Sequence, residues 1–164
     1  MALSSNINQV DPRPTVRRLS FSLNGLSTTG GNYVANQQLG TIITISNASR
    51  LSGGYGTITT ASIVDLSNVL GATDLHIFSG SVGSAGDKMT LNFSDTDMGQ
   101  YYIGTISFPA PTPFMNNRAV SLPAIGLTYQ CDGTSLYGVM STLSGHATFN
   151  TSSDVKVSLT TYQY

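Results

Sequence analysis

Gly40–Gly80, GTIITISNASRLSGGYGTITTASIVDLSNVLGATDLHIFSG, holds three strand-like runs and their turns in sequence order. Thr41 to Ser46 is β-branched at every position but the last, and Tyr55 to Leu66 places Ile58, Val64 and Leu66 on one parity. Both runs suit a pleated surface better than a helix. The segment between them ends in Gly53-Gly54, which accepts backbone angles with φ > 0, and predicts a hairpin with a longish loop. A third run, Asp74 to Ser79, sets Leu75 and Ile77 on one face and His76 and Phe78 on the other, so both faces are expected to be at least partly buried.

Working outward, the same grammar recurs. Leu19, Phe21 and Leu23 alternate with serines up to Asn24-Gly25, a tight-turn dipeptide. Lys88 to Phe93 alternates Met89, Leu91 and Phe93 inward, and Gln100 to Phe108 carries large residues on both parities, as in a central or interface strand. Arg118 to Leu122 reads as a short strand. Ile125 to Cys131 alternates and meets Asp132-Gly133, a hairpin signal that predicts antiparallel pairing with Thr134 to Leu143. Asp154 to Tyr164 closes the chain with Val155, Val157 and Leu159 on one face. The helical signal is confined to Ser94 and the acids behind it, an N-cap pattern closed by Gly99 after about one turn. The expected fold is an all-β antiparallel sandwich, most simply a jelly roll, with a core including Phe21, Ile43, Ile45, Leu75, Ile77, Leu91, Phe93, Ile103, Leu127 and Val157.

Composition supports this. Charged residues are 9% of the 164-residue chain, there is no Glu, and Ser, Thr, Asn and Gly cover the surface in place of the usual helix formers. The length suits one domain, residues 19–164, preceded by an extended arm, residues 1–18, in which Pro12 and Pro14 bracket Arg13. A net charge of -1 with seven Lys and Arg argues against nucleic-acid binding. The first residues lack the pattern of a signal peptide and no apolar run approaches the ~18 residues of a membrane span, so a soluble protein made in the cytoplasm is expected. Cys131 is the single cysteine, and the Asn-x-Ser matches at Asn47, Asn92 and Asn150 need no explanation beyond chance.

The inventory for catalysis is thin. His76 and His146 stand in or beside strand patterns without other ligands at metal spacing, and no Gly-x-Ser-x-Gly elbow occurs. Asp95-x-Asp97 lacks the Gly and Glu of a calcium loop, and the glycine pairs precede no phosphate-binding helix. No enzyme activity, metal or cofactor is expected. Arg13, Arg17, Arg18, Phe114 and Met115 are the candidates for partner contacts: the arginines for charge-assisted bonds from the arm, and Phe114 and Met115, in the proline-punctuated FPAPTPFMNN loop, either for capping the core or for a contact patch.

Residues 40–164 resemble small virion proteins of tailed bacteriophages, of the capsid decoration or cement (head-stabilising) type. The resemblance is carried by ITISNASRLSGGYGTITTASIVD, DLHIFSG, LNFSDTDMGQYYIGTISF, GTSLYGVM and DVKVSLTTY. It implies a β-rich homo-oligomer, commonly a trimer, on the capsid surface of the virion, bound to the major capsid protein and tying capsomers together. It transfers no catalytic residue. A receptor- or carbohydrate-binding sandwich of a phage tail or fibre is the alternative, with Tyr101, Tyr102 or Tyr129 in place of the absent Trp.

Overall fold

The computed structural model describes residues 13–164. Ten strands and one short helix follow in the order β1 (Thr15–Ser22), β2 (Gln38–Ile45), β3 (Tyr55–Asp65), β4 (Thr73–Phe78), α1 (Asp95–Gln100), β5 (Tyr102–Phe108), β6 (Thr112–Pro113), β7 (Arg118–Leu122), β8 (Leu127–Gln130), β9 (Leu136–Thr142) and β10 (Val155–Gln163). One sheet runs β1-β10-β3-β7-β6, with β8 also on β3, and the other runs β2-β9-β4-β5. Every pairing is antiparallel.

The pairings nest. β1 pairs with β10, β2 with β9, β3 with β7 and β8, and β4 with β5. Such a nested ribbon, folded so that successive pairs fall in opposite sheets, is a jelly roll. Two expected hairpins are corrected by it. β2 and β3 lie in different sheets, as do β8 and β9, so the Gly53-Gly54 and Asp132-Gly133 turns carry the chain across the sandwich. Burial of each strand's apolar face against the opposite sheet outweighs local hairpin preference.

β7 and β8 are two halves of an interrupted strand along β3. Pro123 has no amide to donate to a ladder, and Ala124 takes φ 57°. On β3 an extra residue, Thr59, sits opposite the break, where the Ile125 amide still reaches its carbonyl at 2.9 Å. This bulge reverses the side-chain parity of the strand. Ile58 and Ile63 are therefore both buried, while Leu66, expected on the same face as Ile58, is exposed and Val64 is half-buried.

The inter-sheet core holds Ile43, Ile45, Leu75, Ile77 and Val157 as expected, together with Phe108, Met140 and Leu159. Phe21, Ile103 and Leu127 are partly buried against it. Leu91 and Phe93 belong to a second cluster, around Phe78, Val82 and Val139. Residues 88–93 form no strand, only a bridge between Thr90 and Gln37; they are part of an irregular strap that covers Phe78 and Val139. Met89 on that strap is exposed rather than inward.

The strand expected over 100–108 is β5, at the edge of its sheet rather than its centre. The single helical turn is present, with Ser94 accepting the Asp97 amide at 3.0 Å. β1 begins at Thr15, so residues 15–18 of the expected arm pair with β10; residues 1–12 of that arm lie outside the described residues.

Candidate functional site

The structure separates the sequence-derived contact residues into two groups. Arg17 and Arg18 are exposed on β1, Arg13 lies just before it, and Arg18 reaches Ser158 Oγ at 3.4 Å. A groove of about 370 Å³ runs between Arg17–Phe21 and Thr44–Asn47. Phe114 and Met115 stand in the turn between β6 and β7, 58% and 91% exposed, so they do not cap the core. β1 and β6 are the opposite edges of a path of five strands, about 19 Å apart at the usual strand spacing. The sheet therefore offers a basic edge and an apolar edge, not one combined site.

The histidines are held by the fold. His76 Nδ1 meets Thr105 Oγ1 at 2.8 Å and Nε2 meets Ser141 Oγ at 3.0 Å. His146 stacks on Tyr33 with centroids 4.7 Å apart and bonds the Ala147 carbonyl at 2.8 Å. Burial depresses both pKa values below 6.5, opposed at His76 by Asp74 and at His146 chiefly by the Ala147 carbonyl. A depressed base takes up its proton in the unfolded chain first, so stability is complete above pH 6.5 and falls as the pH drops through that value. Urea midpoints are expected to decline between about pH 7.5 and about pH 5. The decline should flatten in an H76Q/H146N double variant, and a constant wild-type midpoint would contradict the assignment.

Within the strap, Asp87 gathers the loop before β2. Its carboxylate accepts from the Ser27 amide and hydroxyl at 3.0 and 2.5 Å, from Tyr33 Oη at 2.9 Å and from the Gly40 amide at 2.6 Å. Burial, and the neighbouring Asp87 carboxylate, raise the Tyr33 phenol above its ordinary range. Lys88 spans the Tyr33 ring at 4.9 Å and bonds the Gly31 carbonyl at 2.6 Å. These partners make the cluster a clamp that ties the loop before β2 to the strap.

Tyr101, Tyr102 and Tyr129, the alternatives the sequence offers in place of Trp, all line one cleft between the edge strands β5 and β8. Tyr55 joins them from the start of β3 and Asp132 from the β8–β9 crossing. Tyr129 is committed to the wall: its hydroxyl bonds the Ala48 carbonyl at 2.5 Å, and burial pushes its pKa up to about 12. Cys131 beside it is buried, its thiol pushed up to about 11 by desolvation and by Asp132.

Among the described residues no group of three or more His, Cys, Asp or Glu could hold a metal ion, and no helix is long and apolar enough to cross a membrane.

Strand order and nesting define the chain as an antiparallel jelly-roll sandwich in architecture. No protein-family model matches it, and no curated protein does. Solved structures with similarity include the PRD1 vertex protein P5, at 14% identity and TM-score 0.35 over 90% of this chain and 95% of that one. Turnip yellow mosaic virus aligns at 10% identity and TM-score 0.33 over 93% and 94%. Mud crab tombus-like virus aligns at 10% and 0.30 over 98% and 94%. At such scores these similarities carry no functional argument, and the fold rests on the strand order itself.

Proposed function

We propose that the chain is a structural protein of a virus particle, and specifically a decoration or cement protein on the outer capsid of a tailed bacteriophage. In this reading it binds the major capsid protein as a homotrimer, acts by binding alone, and performs no catalysis. The observation that carries it is the two-edged sheet: Arg17 and Arg18 on β1, and exposed Phe114 and Met115 beside β6. A rigid sheet with unlike contact groups on opposite edges can engage two neighbouring subunits at once, which is what tying capsomers together requires. The sequence resemblance over residues 40–164 supports the same reading.

Co-sedimentation with purified undecorated capsids tests it. The wild-type chain is expected to pellet with capsids, and R17A/R18A and F114S/M115S variants are each expected to bind about tenfold more weakly or worse. Unbound protein in the same gradients should travel as a trimer. Failure of the wild-type chain to pellet would remove the proposal, and a monomeric free fraction would remove the trimer.

A further inference from the structure

We propose that the tyrosine cleft beside β5 is a binding site for an uncharged saccharide. It consists of two adjoining concavities of about 450 and 480 Å³ that share Ser79, Tyr101 and Asp132. Each is within the ~300–1,000 Å³ range of small-molecule sites.

The aromatic surface is positioned before any ligand arrives. Tyr55 is 57% and Tyr102 40% exposed, whereas Tyr101 and Tyr137 are half-buried against Phe78, Val82 and Val139. Tyr102 is fixed on both ends, its ring against the edge of Phe78 at 5.7 Å and its hydroxyl on Thr105 Oγ1 at 2.8 Å. A ring that is already held loses little freedom on binding. The negative face of an aromatic ring attracts the C–H face of a pyranose, which is weakly positive and apolar.

The polar groups complement the edge of such a ring. Asp132 makes no side-chain hydrogen bond among the described residues, so both carboxylate oxygens are available to adjacent hydroxyls. Gln130 also lines the cleft, and its amide nitrogen donates to the Gly53 carbonyl at 3.1 Å, which holds the side chain in place. Ser79, Ser81 and Ser135 add hydroxyls.

Gly80 is what joins the aromatic and polar halves. A Cβ there would lie 2.6 Å from Tyr101 Cδ1 and 2.8 Å from Asp132 Oδ2. With hydrogen in its place, the tyrosine ring and the carboxylate flank one position from two sides. The floor beneath is fixed by the Ser79 amide on the Tyr101 carbonyl at 2.8 Å and the Asp132 amide on the Ser79 carbonyl at 3.3 Å.

Charge selects the ligand class. No Lys, Arg or His lines either concavity and Asp132 is the ionisable acid there, so sialylated, uronic or phosphorylated sugars meet repulsion without compensation. A cation would find one carboxylate where such ions take six or more oxygens. A neutral hexose or N-acetylhexosamine oligosaccharide fits both constraints. None of the contact residues assigned to capsid binding lines the cleft, so this site stands independently of that role.

The test is binding of the full chain to an immobilised panel of neutral hexose and N-acetylhexosamine oligosaccharides, with their sialylated and uronic counterparts, followed by titration calorimetry of the best neutral binder. Neutral members should bind and acidic ones should not. Y102A and D132N should each lower affinity about tenfold or more while circular dichroism shows both variants still folded at the assay temperature, and R18A, on the far edge, should leave affinity unchanged. Absence of any neutral binder at about 10 mM, preference for acidic members, or binding that survives both cleft substitutions would overturn the proposal.

Discussion

An Asp87→Ala variant is expected to lose about 3–4 kcal/mol of stability, although Asp87 lies in an irregular strap outside both sheets. Removing the carboxylate leaves the buried Gly40 amide and the Tyr33 hydroxyl without an acceptor. Each such orphan costs about 1–3 kcal/mol. The Ser27 amide keeps a partial alternative, since it also donates to Tyr33 Oη at 2.8 Å. Gly40 cannot move away to find water. It sits at φ 66° with no room for a Cβ, which would come within 2.4 Å of the Asn24 carbonyl oxygen. Urea unfolding followed by fluorescence should show a lower midpoint with unchanged slope. Asp87→Asn, which keeps one acceptor oxygen, should lose roughly half as much. A Y33F/D87A double variant should lose less than the sum of the single changes, because the two groups share a bond. A loss below about 1 kcal/mol in D87A would mean that the strap does not depend on this clamp.

The clamp also shows where sequence reading ends. Asp87 stands in a glycine-punctuated loop pattern, and nothing local indicates that its partners lie at Ser27, Tyr33 and Gly40. Features determined within a few residues were legible: the Ser94 cap and the alternation of Val155, Val157 and Leu159. Pairing was not. Several strands adjacent in sequence, β1 and β2, β2 and β3, β3 and β4, and β8 and β9 among them, are placed in opposite sheets, and β1 pairs with β10 from Thr15↔Gln163 to Ser22↔Lys156. Turn dipeptides specify that the chain reverses, but a reversal within a sheet and a crossing between sheets use the same residues.

The parity error on β3 has a similar origin. One inserted residue, Thr59, moves Ile63 onto the face of Ile58, and a strict period of two cannot anticipate where a strand will bulge. The expectation of a central or interface strand over 100–108 rested on large residues of both parities. Those residues are accounted for at an edge, with Ile106 and Phe108 entering the core and Tyr101 and Tyr102 bordering the cleft. The aromatic group of the candidate site was legible as residue types, whereas Tyr55, Gly80 and Asp132 enter it only through the fold.

The largest single-residue effect within the core is expected at Phe108. It lies at 0% exposure on β5, opposite Thr73 on β4, and packs into the inter-sheet cluster. Phe108→Ala removes the ring and leaves a cavity that the surrounding strands fill only in part, a change that costs about 3–5 kcal/mol. β5 is held on one side only, by β4, so its inward side chains anchor it more than its ladder does. The thermal midpoint should fall by roughly 10 °C or more for a chain of this size. Phe114→Ala is the matched control. The same atoms are removed from a side chain that is 58% exposed, and stability should change by no more than about 0.5 kcal/mol. Equal losses in the two variants would place Phe114 in a packed interface of the assembled protein. A loss under about 1 kcal/mol at Phe108 would contradict the inter-sheet core as the source of the fold's stability.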